Sequence, residues 1–204
     1  VKECVDLGGR RIIKKKTLDS LVLHSGDGGV LLHAGDAVAA GALGGIDFGG
    51  GDDFAVDRFY DPEFGGIYWS LNPDGTPLDT KKQIYAIAFA IYGLAELNRA
   101  TGDGEALEYA IKLFNSIEDH SFDTQKDGYL EAFTREWAQI EDMRLSDKDA
   151  NESKTMNTHL HVLEAYTCLY RVWGDGRLKE RLRGLIEIFE QRILGPDGHL
   201  KLFF

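Results

Sequence analysis

A short motif occurs twice in the chain: RATGDG at residues 99–104 returns as RVWGDG at residues 171–176. In both places the motif separates two stretches that carry apolar residues at helical spacing. A further glycine recurs in the turns between these pairs, as Gly66, Gly128 and Gly198, at intervals close to that of the motif. Helical hairpins of this kind cannot bury their apolar faces alone, so they must stack as a solenoid or close into a ring.

The periodicity and the turn signals predict the limits of the secondary structure. The predicted helices cover residues 80–99, 105–120, 154–173 and 177–193. Segments 61–71 and 123–130 are each predicted to form a turn that leads into a short strand. Residues 131–151 form a long polar connection, and connections of that length commonly carry function.

Residues 1–56 differ from the rest, because they hold 12 of the 24 glycines and no aromatic residue before Phe48. Glycine disfavours helix, and the segment has little bulk to bury. Its glycines do not form a phosphate-binding loop. We therefore divide the chain into an atypical Gly-rich segment, 1–56, and a repeat domain, 57–204.

The net charge of −11 argues against a nucleic-acid partner and favours a neutral ligand. The sequence contains no apolar run long enough to span a membrane and no secretory signal pattern. Cys4 and Cys168 lie far apart and are interpreted as reduced thiols. These features predict a cytoplasmic protein without a membrane partner.

The helix predicted over residues 154–173 carries the candidate site. Asn157, His161 and Glu164 are spaced so that they project from one face. Another face is expected to pack through Met156, Leu160 and Leu163. His159 points elsewhere and is interpreted as structural, and His161 could equally be a partner of a nearby carboxylate. The spacing offers at most two metal ligands, so no metal site is predicted.

Several segments resemble the N-acylglucosamine 2-epimerase superfamily, and within it the cellobiose 2-epimerases: 59–71, 79–85 with 89–94, 143–154 and 154–164. The resemblance runs from about residue 54 to the end of the chain. It implies an all-α fold, an (α/α)6 barrel of helical hairpins, of which this chain supplies an incomplete half. It also implies epimerisation at C2 of the reducing-end glucose of cellobiose and related β-1,4-linked disaccharides. The ring opens, an enediolate forms, and no cofactor takes part.

The resemblance also assigns the site residues. Tyr85, Asp149 and Asn157 are expected to bind the sugar, and His161 to assist ring opening or hold the reacting oxygens. The residues alone leave other interpretations open, namely a core tyrosine at 85 and a solvated carboxylate at 149. The family's two proton-transferring histidines are expected in hairpins after Phe204, so the isolated chain is expected to be inactive.

Several alternatives stay open at this stage. The chain could belong to a relative that acts on N-acylglucosamine or mannose, or to a non-catalytic sugar-binding fragment. It could also be an (α/α)6 glycoside hydrolase, which needs two carboxylates. The candidates for that pair are Glu141, Asp142, Asp149 and Glu152. Trp69 and Trp137 could stack on sugars or fill the core. Residues 1–56 lack the aromatic, arginine-bearing first helix of the family, so we hypothesise a frame-shifted or misassigned start.

Overall fold

The computed structural model describes residues 58–72, 74–145 and 148–204, together with the backbone of three two-residue strands nearer the amino terminus. Those strands are β1 (Cys4–Val5), β2 (Arg11–Ile12) and β3 (Leu32–His33). The hypothesis of an atypical segment over residues 1–56 otherwise lies outside the described residues. β1 pairs with β2, and β3 continues into an antiparallel sheet with β4 (Ser70–Leu71) and β5 (Pro77–Asp79).

The described part of the chain folds into two helical hairpins, as the repeat predicts. They comprise α1 (Ile84–Thr101), α2 (Gly104–His120), α3 (Met156–Val172) and α4 (Gly176–Ile188). α1 begins later than predicted, because Lys82 and Gln83 form strand β6 and pair with β7 (Ala132–Phe133). α4 ends before the predicted boundary and continues as a π-helical turn over Phe189–Ile193.

The repeated GDG motif forms the tip of each hairpin. Asp103 caps α2 by accepting hydrogen bonds from the amides of Glu105 and Ala106, and Asp175 caps α4 by accepting one from Leu178. Gly102 ends α1 at a φ of +79°, which suits glycine. α3 ends differently, at Trp173 in an extended conformation. The aspartate of the motif is therefore the feature that has the same role in both hairpins.

Each hairpin is also preceded by an aspartate turn and a lysine. The carboxylates of Asp61 and Asp123 accept two amide hydrogen bonds each from their own turns. Lys82 Nζ lies 2.8 Å from Asp61 Oδ2, and Lys154 Nζ lies 2.8 Å from Asp123 Oδ2. Each lysine stands two residues before its helix, so the ion pair fixes the start of α1 and α3 against the preceding turn.

Backbone contacts link one unit to the next. The Ile84 amide at the start of α1 donates to the Glu131 carbonyl at 3.0 Å. In the same way, the Met156 amide at the start of α3 donates to the Leu202 carbonyl at 2.8 Å. A main-chain hydrogen bond therefore joins the start of each inner helix to the segment that follows its hairpin.

α1 and α3, the inner helices, pack against each other, whereas α2 and α4, the outer helices, each pack on their own hairpin partner. Alanine and glycine let α1 approach its neighbours closely, and it is buried at Ala86, Ala90 and Gly93. The predicted apolar face of α3 is wrong, since Met156, Leu160 and Leu163 are only partly buried. α3 packs against both α1 and α4, and these two helices bury a different stripe of its residues. That stripe consists of Thr158, His159, Val162, Ala165, Tyr166 and Leu169.

Candidate functional site

The polar face of α3 is open, as its spacing predicts. Asn157 and Glu164 are exposed, and the His161 side chain is 19% exposed. His161 Nδ1 lies 2.8 Å from Glu164 Oε2. Because a carboxylate accepts hydrogen bonds, Nδ1 donates in this contact, and Nε2 is the ring nitrogen left for a ligand. The pair thus leaves one nitrogen of His161 available as a hydrogen-bond acceptor or base.

Two aromatic side chains of α1 contact this imidazole. The Tyr85 ring meets His161 edge-on, with centroids 4.9 Å apart, and the Phe89 ring lies tilted at 4.6 Å. Tyr85 and Phe89 also contact each other at 5.0 Å. His161 is therefore held in place by a carboxylate on its own helix and by aromatic rings from the neighbouring inner helix.

An apolar groove of about 550 Å³ opens beside these rings. Its walls come from both inner helices and include Phe89, Tyr92, His161, Glu164 and Thr167. Tyr92 is 42% exposed despite its size. Aromatic surfaces next to a few polar groups are the usual composition of a small-molecule site.

The other two predicted site residues meet in a second pocket, of about 320 Å³. Asp149 from the long connection and Asn157 from the first turns of α3 both line it, with Arg144, Glu152 and Met156. Asn157 stands one helical turn before His161, on the same face of α3. The structure therefore brings Tyr85 to His161 and Asp149 to Asn157, and α3 joins the two pairs.

The long connection is fixed over the start of α1. Gln83 Nε2 donates to the Arg144 carbonyl at 2.9 Å, and Lys81 Nζ donates to the same oxygen at 3.3 Å. Asn151 Oδ1 accepts from the Met143 amide at 3.0 Å, which closes a loop within the connection. These contacts anchor the connection at the start of α1, and its Asp149 lines a pocket together with Asn157 of α3.

A buried glutamate lies at the base of the second pocket. The Glu131 side chain accepts from the Thr155 amide at 2.8 Å and from the Thr158 hydroxyl at 2.6 Å. Glu131 is only 2% exposed, and burial raises its pKa to about 7. Its two hydrogen bonds place the Glu131 side chain at the amino terminus of α3, where the helix dipole favours negative charge.

His159 has a structural environment. Its Nε2 accepts from the Tyr129 amide at 2.9 Å, and its Nδ1 donates to the Thr155 carbonyl at 2.7 Å. It is fully buried, and desolvation lowers its pKa to about 4. The ring is thus neutral at physiological pH and connects α3 to the turn at Gly128.

Trp137 also belongs to the packing. Its Nε1 donates to the Phe64 carbonyl at 2.8 Å, and its ring stacks on His120 with centroids 4.3 Å apart. The carboxylates considered for hydrolysis do not share one environment. Asp142 is paired with Arg144 at 2.8 Å, which holds the pKa of its carboxyl well below the usual range, whereas Asp149 and Glu152 line the second pocket.

Sequence reasoning missed Phe89 and Glu131. Phe89 occupies the place in the first hairpin that His161 occupies in the second, so the repeat could have identified it. Nothing in the sequence indicates that Glu131 reaches across to α3. Within the described ranges, no helix is long and apolar enough to cross a membrane. No cluster of three or more potential metal ligands occurs in that same part of the chain.

The chain is similar to known proteins over most of its length. The sequence model of the N-acylglucosamine 2-epimerase (GlcNAc 2-epimerase) family matches residues 51–204. A cellobiose 2-epimerase of Bacteroides fragilis is 68% identical over 152 residues, which cover 74% of this chain and 39% of that protein. The chain thus spans about two fifths of the length of the curated relatives it matches.

The fold of the chain is also similar to those of solved structures. Cellobiose 2-epimerase of Spirochaeta thermophila superposes with a TM-score of 0.69 at 42% identity, over 74% of this chain and 38% of that one. A D-mannose isomerase superposes at 0.64 with 17% identity, over 85% of this chain and 46% of that one, which shows the fold alone. The predicted (α/α)6 barrel architecture is confirmed, with this chain covering less than half of such a ring. The chain belongs to the N-acylglucosamine 2-epimerase family.

Proposed function

We propose that this chain forms one side of the sugar-binding cleft of a cellobiose 2-epimerase. The substrate is cellobiose or a related β-1,4-linked disaccharide, and the reaction inverts C2 of its reducing-end glucose. The observation that carries the proposal is the meeting of His161 with Tyr85 and Phe89 between two inner helices. The 68% identity to the Bacteroides fragilis cellobiose 2-epimerase supports this substrate class.

His161 acts on the sugar through Nε2. The contact between Nδ1 and Glu164 orients the ring and leaves Nε2 toward the reacting end. There it accepts the proton of the anomeric hydroxyl when the ring opens, or donates to an oxygen of the enediolate when protonated. Asn157, one turn away, donates its side-chain amide to a neighbouring hydroxyl, and Asp149 accepts from another. Tyr85 and Phe89 provide apolar surface for the sugar ring.

The proton transfers at C2 are assigned to other histidines of the family, which the resemblance places after Phe204. Imidazole suits that step because its pKa near neutrality allows it to accept and to return a proton. No metal or organic cofactor is part of the proposed reaction. We assign the protein to the cytoplasm, a location supported by the pair of widely separated cysteines.

The reaction is tested with the full-length gene product on cellobiose, N-acetylglucosamine and mannose. Formation of glucosyl-mannose from cellobiose is the expected result. Preferred turnover of N-acetylglucosamine or mannose would move the protein to another branch of the family. Release of free glucose would indicate a glycoside hydrolase instead.

The cleft assignment is tested separately in the same protein. Asn157→Ala and His161→Ala should lower kcat/KM for cellobiose by about 100-fold or more, as expected when an oriented polar contact to the reacting group is lost. Lys179→Ala, on the exposed side of α4, is the matched control and should leave kcat/KM unchanged. Equal activity of the His161 variant and the wild type would refute the role of His161.

A further inference from the structure

Glu131 contacts both inner helices at once. Its main-chain carbonyl accepts the Ile84 amide at the first turn of α1 at 3.0 Å. Its carboxylate accepts the Thr155 amide at 2.8 Å and the Thr158 hydroxyl at 2.6 Å, at the first turn of α3. One residue therefore sets the position of one helix start relative to the other.

Comparison of the two repeat units shows which of the Glu131 contacts both units share. Leu202 occupies the corresponding place in the next unit, and its carbonyl accepts the Met156 amide just as Glu131 accepts Ile84. The apolar Leu202 side chain has no group that could accept a hydrogen bond, whereas the Glu131 side chain is buried and accepts two from α3. The backbone link is thus common to both units, and the carboxylate contact is particular to the place where α1 meets α3.

Burial of the Glu131 carboxylate costs free energy, because the group is removed from water. Among the described residues, no cation forms an ion pair with Glu131. Its partners are an amide, a hydroxyl and the dipole at the start of α3, all of which belong to one helical turn. A buried carboxylate with only these partners holds that turn in a defined position.

That turn carries the site. Asn157 lies between Thr155 and Thr158, and His161 follows one turn later on the same face. On the other helix, Tyr85 comes directly after Ile84, whose amide Glu131 accepts. The residues that Glu131 fixes are therefore the immediate neighbours of the proposed sugar contacts.

We infer that Glu131 is a positioning residue of the sugar cleft, which sets the register of α1 against α3 and thereby the placement of Tyr85 relative to Asn157 and His161. This inference rests on the proposed function only for its effect on the sugar, because the register can be measured without a ligand.

The first test uses NMR on the full-length gene product with isotope-labelled histidine and tyrosine. The His161 imidazole contacts two aromatic rings of α1, at 4.9 and 4.6 Å, so ring currents make its proton shifts sensitive to the register of α1 and α3. Glu131→Ala should move these shifts and weaken the nuclear Overhauser contact between His161 and Tyr85. Glu131→Gln can still accept from Thr155 and donate to Thr158, so it should keep the wild-type shifts.

Glu118→Ala is the matched control, since Glu118 is also a buried glutamate but bonds to Tyr129 and Tyr166 away from the cleft. It should lower the melting temperature and leave the His161 shifts in place. Wild-type shifts in Glu131→Ala, or an equal displacement in Glu118→Ala, would overturn the inference. Glu131→Asp is too short to reach both partners and decides the question if the alanine variant does not fold.

The second test measures kcat and KM for cellobiose in the full-length gene product. Glu131→Ala should lower kcat/KM by about tenfold to 100-fold through misplacement of the cleft residues, and Glu131→Gln should restore it to within about twofold. Absence of cellobiose turnover in the wild type would defeat the proposed function and leave the NMR test of Glu131 intact. Full activity of Glu131→Ala would overturn the inference.

Discussion

α1 and α3 are equivalent helices with different chemistry. Their starts, Ile84 and Met156, are separated by the same interval as the two GDG motifs, so Tyr85 and Phe89 on α1 correspond to Asn157 and His161 on α3. These four side chains occupy the same register positions, and α1 supplies aromatic rings where α3 supplies an amide and an imidazole. The repeat thus sets where the cleft-facing positions lie, and the side chains at those positions decide what each wall does.

Outside these positions the two hairpins share the residues that shape them. Both have an aspartate that caps the outer helix and an aspartate–lysine pair before the inner helix. Both also have a positive-φ glycine, Gly66 or Gly128, in the turn before the inner helix. The shared residues explain the architecture, whereas the residues that differ mark the site. Changing one member of each shared pair at a time and measuring the free energy of unfolding tests this separation.

The largest effect is expected at the aspartate–lysine pairs. Asp61 and Lys82 are both fully buried, whereas the Asp123 side chain is 20% exposed. Asp61→Asn leaves the buried Lys82 ammonium without its counter-charge and should cost about 3–5 kcal/mol. Asp123→Asn should cost less, about 1–3 kcal/mol, because Asp123 is itself partly exposed and the buried Lys154 keeps a carbonyl partner at Asp127. Equal losses in urea titrations would show that burial does not distinguish the two pairs.

The second-largest effect is expected in the pH dependence of stability that His159 of α3 causes. α1 should lack this dependence, because Ile87 occupies the position that corresponds to His159. Desolvation lowers the pKa of His159 to about 4, below its unfolded value of about 6.5. The unfolded chain then binds the proton more readily, so stability falls as the pH drops through this window, by about 3 kcal/mol in total. Lys154 and Arg192 face the ring and oppose its protonation further.

His159→Ile should remove this slope between about pH 6.5 and about pH 4. The variant is less stable at neutral pH, because the Tyr129 amide loses its acceptor. Burial of Glu131 has the opposite sign, since a raised pKa makes stability fall as the pH rises toward about 7. A slope that persists unchanged in His159→Ile would assign the acid sensitivity to another group.

The recurrent glycines should separate by their surroundings. A Cβ at Gly66 would stand 2.8 Å from the Trp137 ring, and one at Gly128 would stand 2.7 Å from His159 Nε2. Gly198 has a similar φ of +81° but no atom within 4 Å of that position. In the 204-residue chain, alanine should therefore cost about 2–3 kcal/mol at residue 66 or 128 and about 1 kcal/mol at residue 198. A uniform cost in thermal unfolding would mean that backbone strain alone sets the effect.

The smallest effects are expected at the helix caps. Asp103→Ala and Asp175→Ala each remove a side-chain acceptor for the first turn of an outer helix and should each cost about 1 kcal/mol. Serine at either position should recover most of the loss, because its hydroxyl can accept the same hydrogen bonds. A much larger loss for one cap than for the other would show that the two hairpin tips are not equivalent.

The hairpins could be predicted because they depend on local patterns. Helical spacing, the GDG tips and the recurrent glycines each act within a few residues, and the structure confirms the helices they predict. The open polar face of Asn157, His161 and Glu164 follows from the same spacing. Errors arose where another segment decided the outcome: the start of α1 moved to Ile84 because β6 pairs with β7, and the buried stripe of α3 shifted because two helices flank it.

The sequence by itself determined a repeat of helical hairpins, the family resemblance, and the face of α3 that could hold a sugar. Its four site residues remain predictions, and the structure adds their grouping: Tyr85 with His161, and Asp149 with Asn157. Only the tertiary structure decided that Phe89 joins the first pair and that Glu131 spans both inner helices. Helices and turns depend on the spacing of residues within one segment, so the sequence predicts them directly. Contacts between segments depend on how the hairpins pack, and no single segment determines that packing.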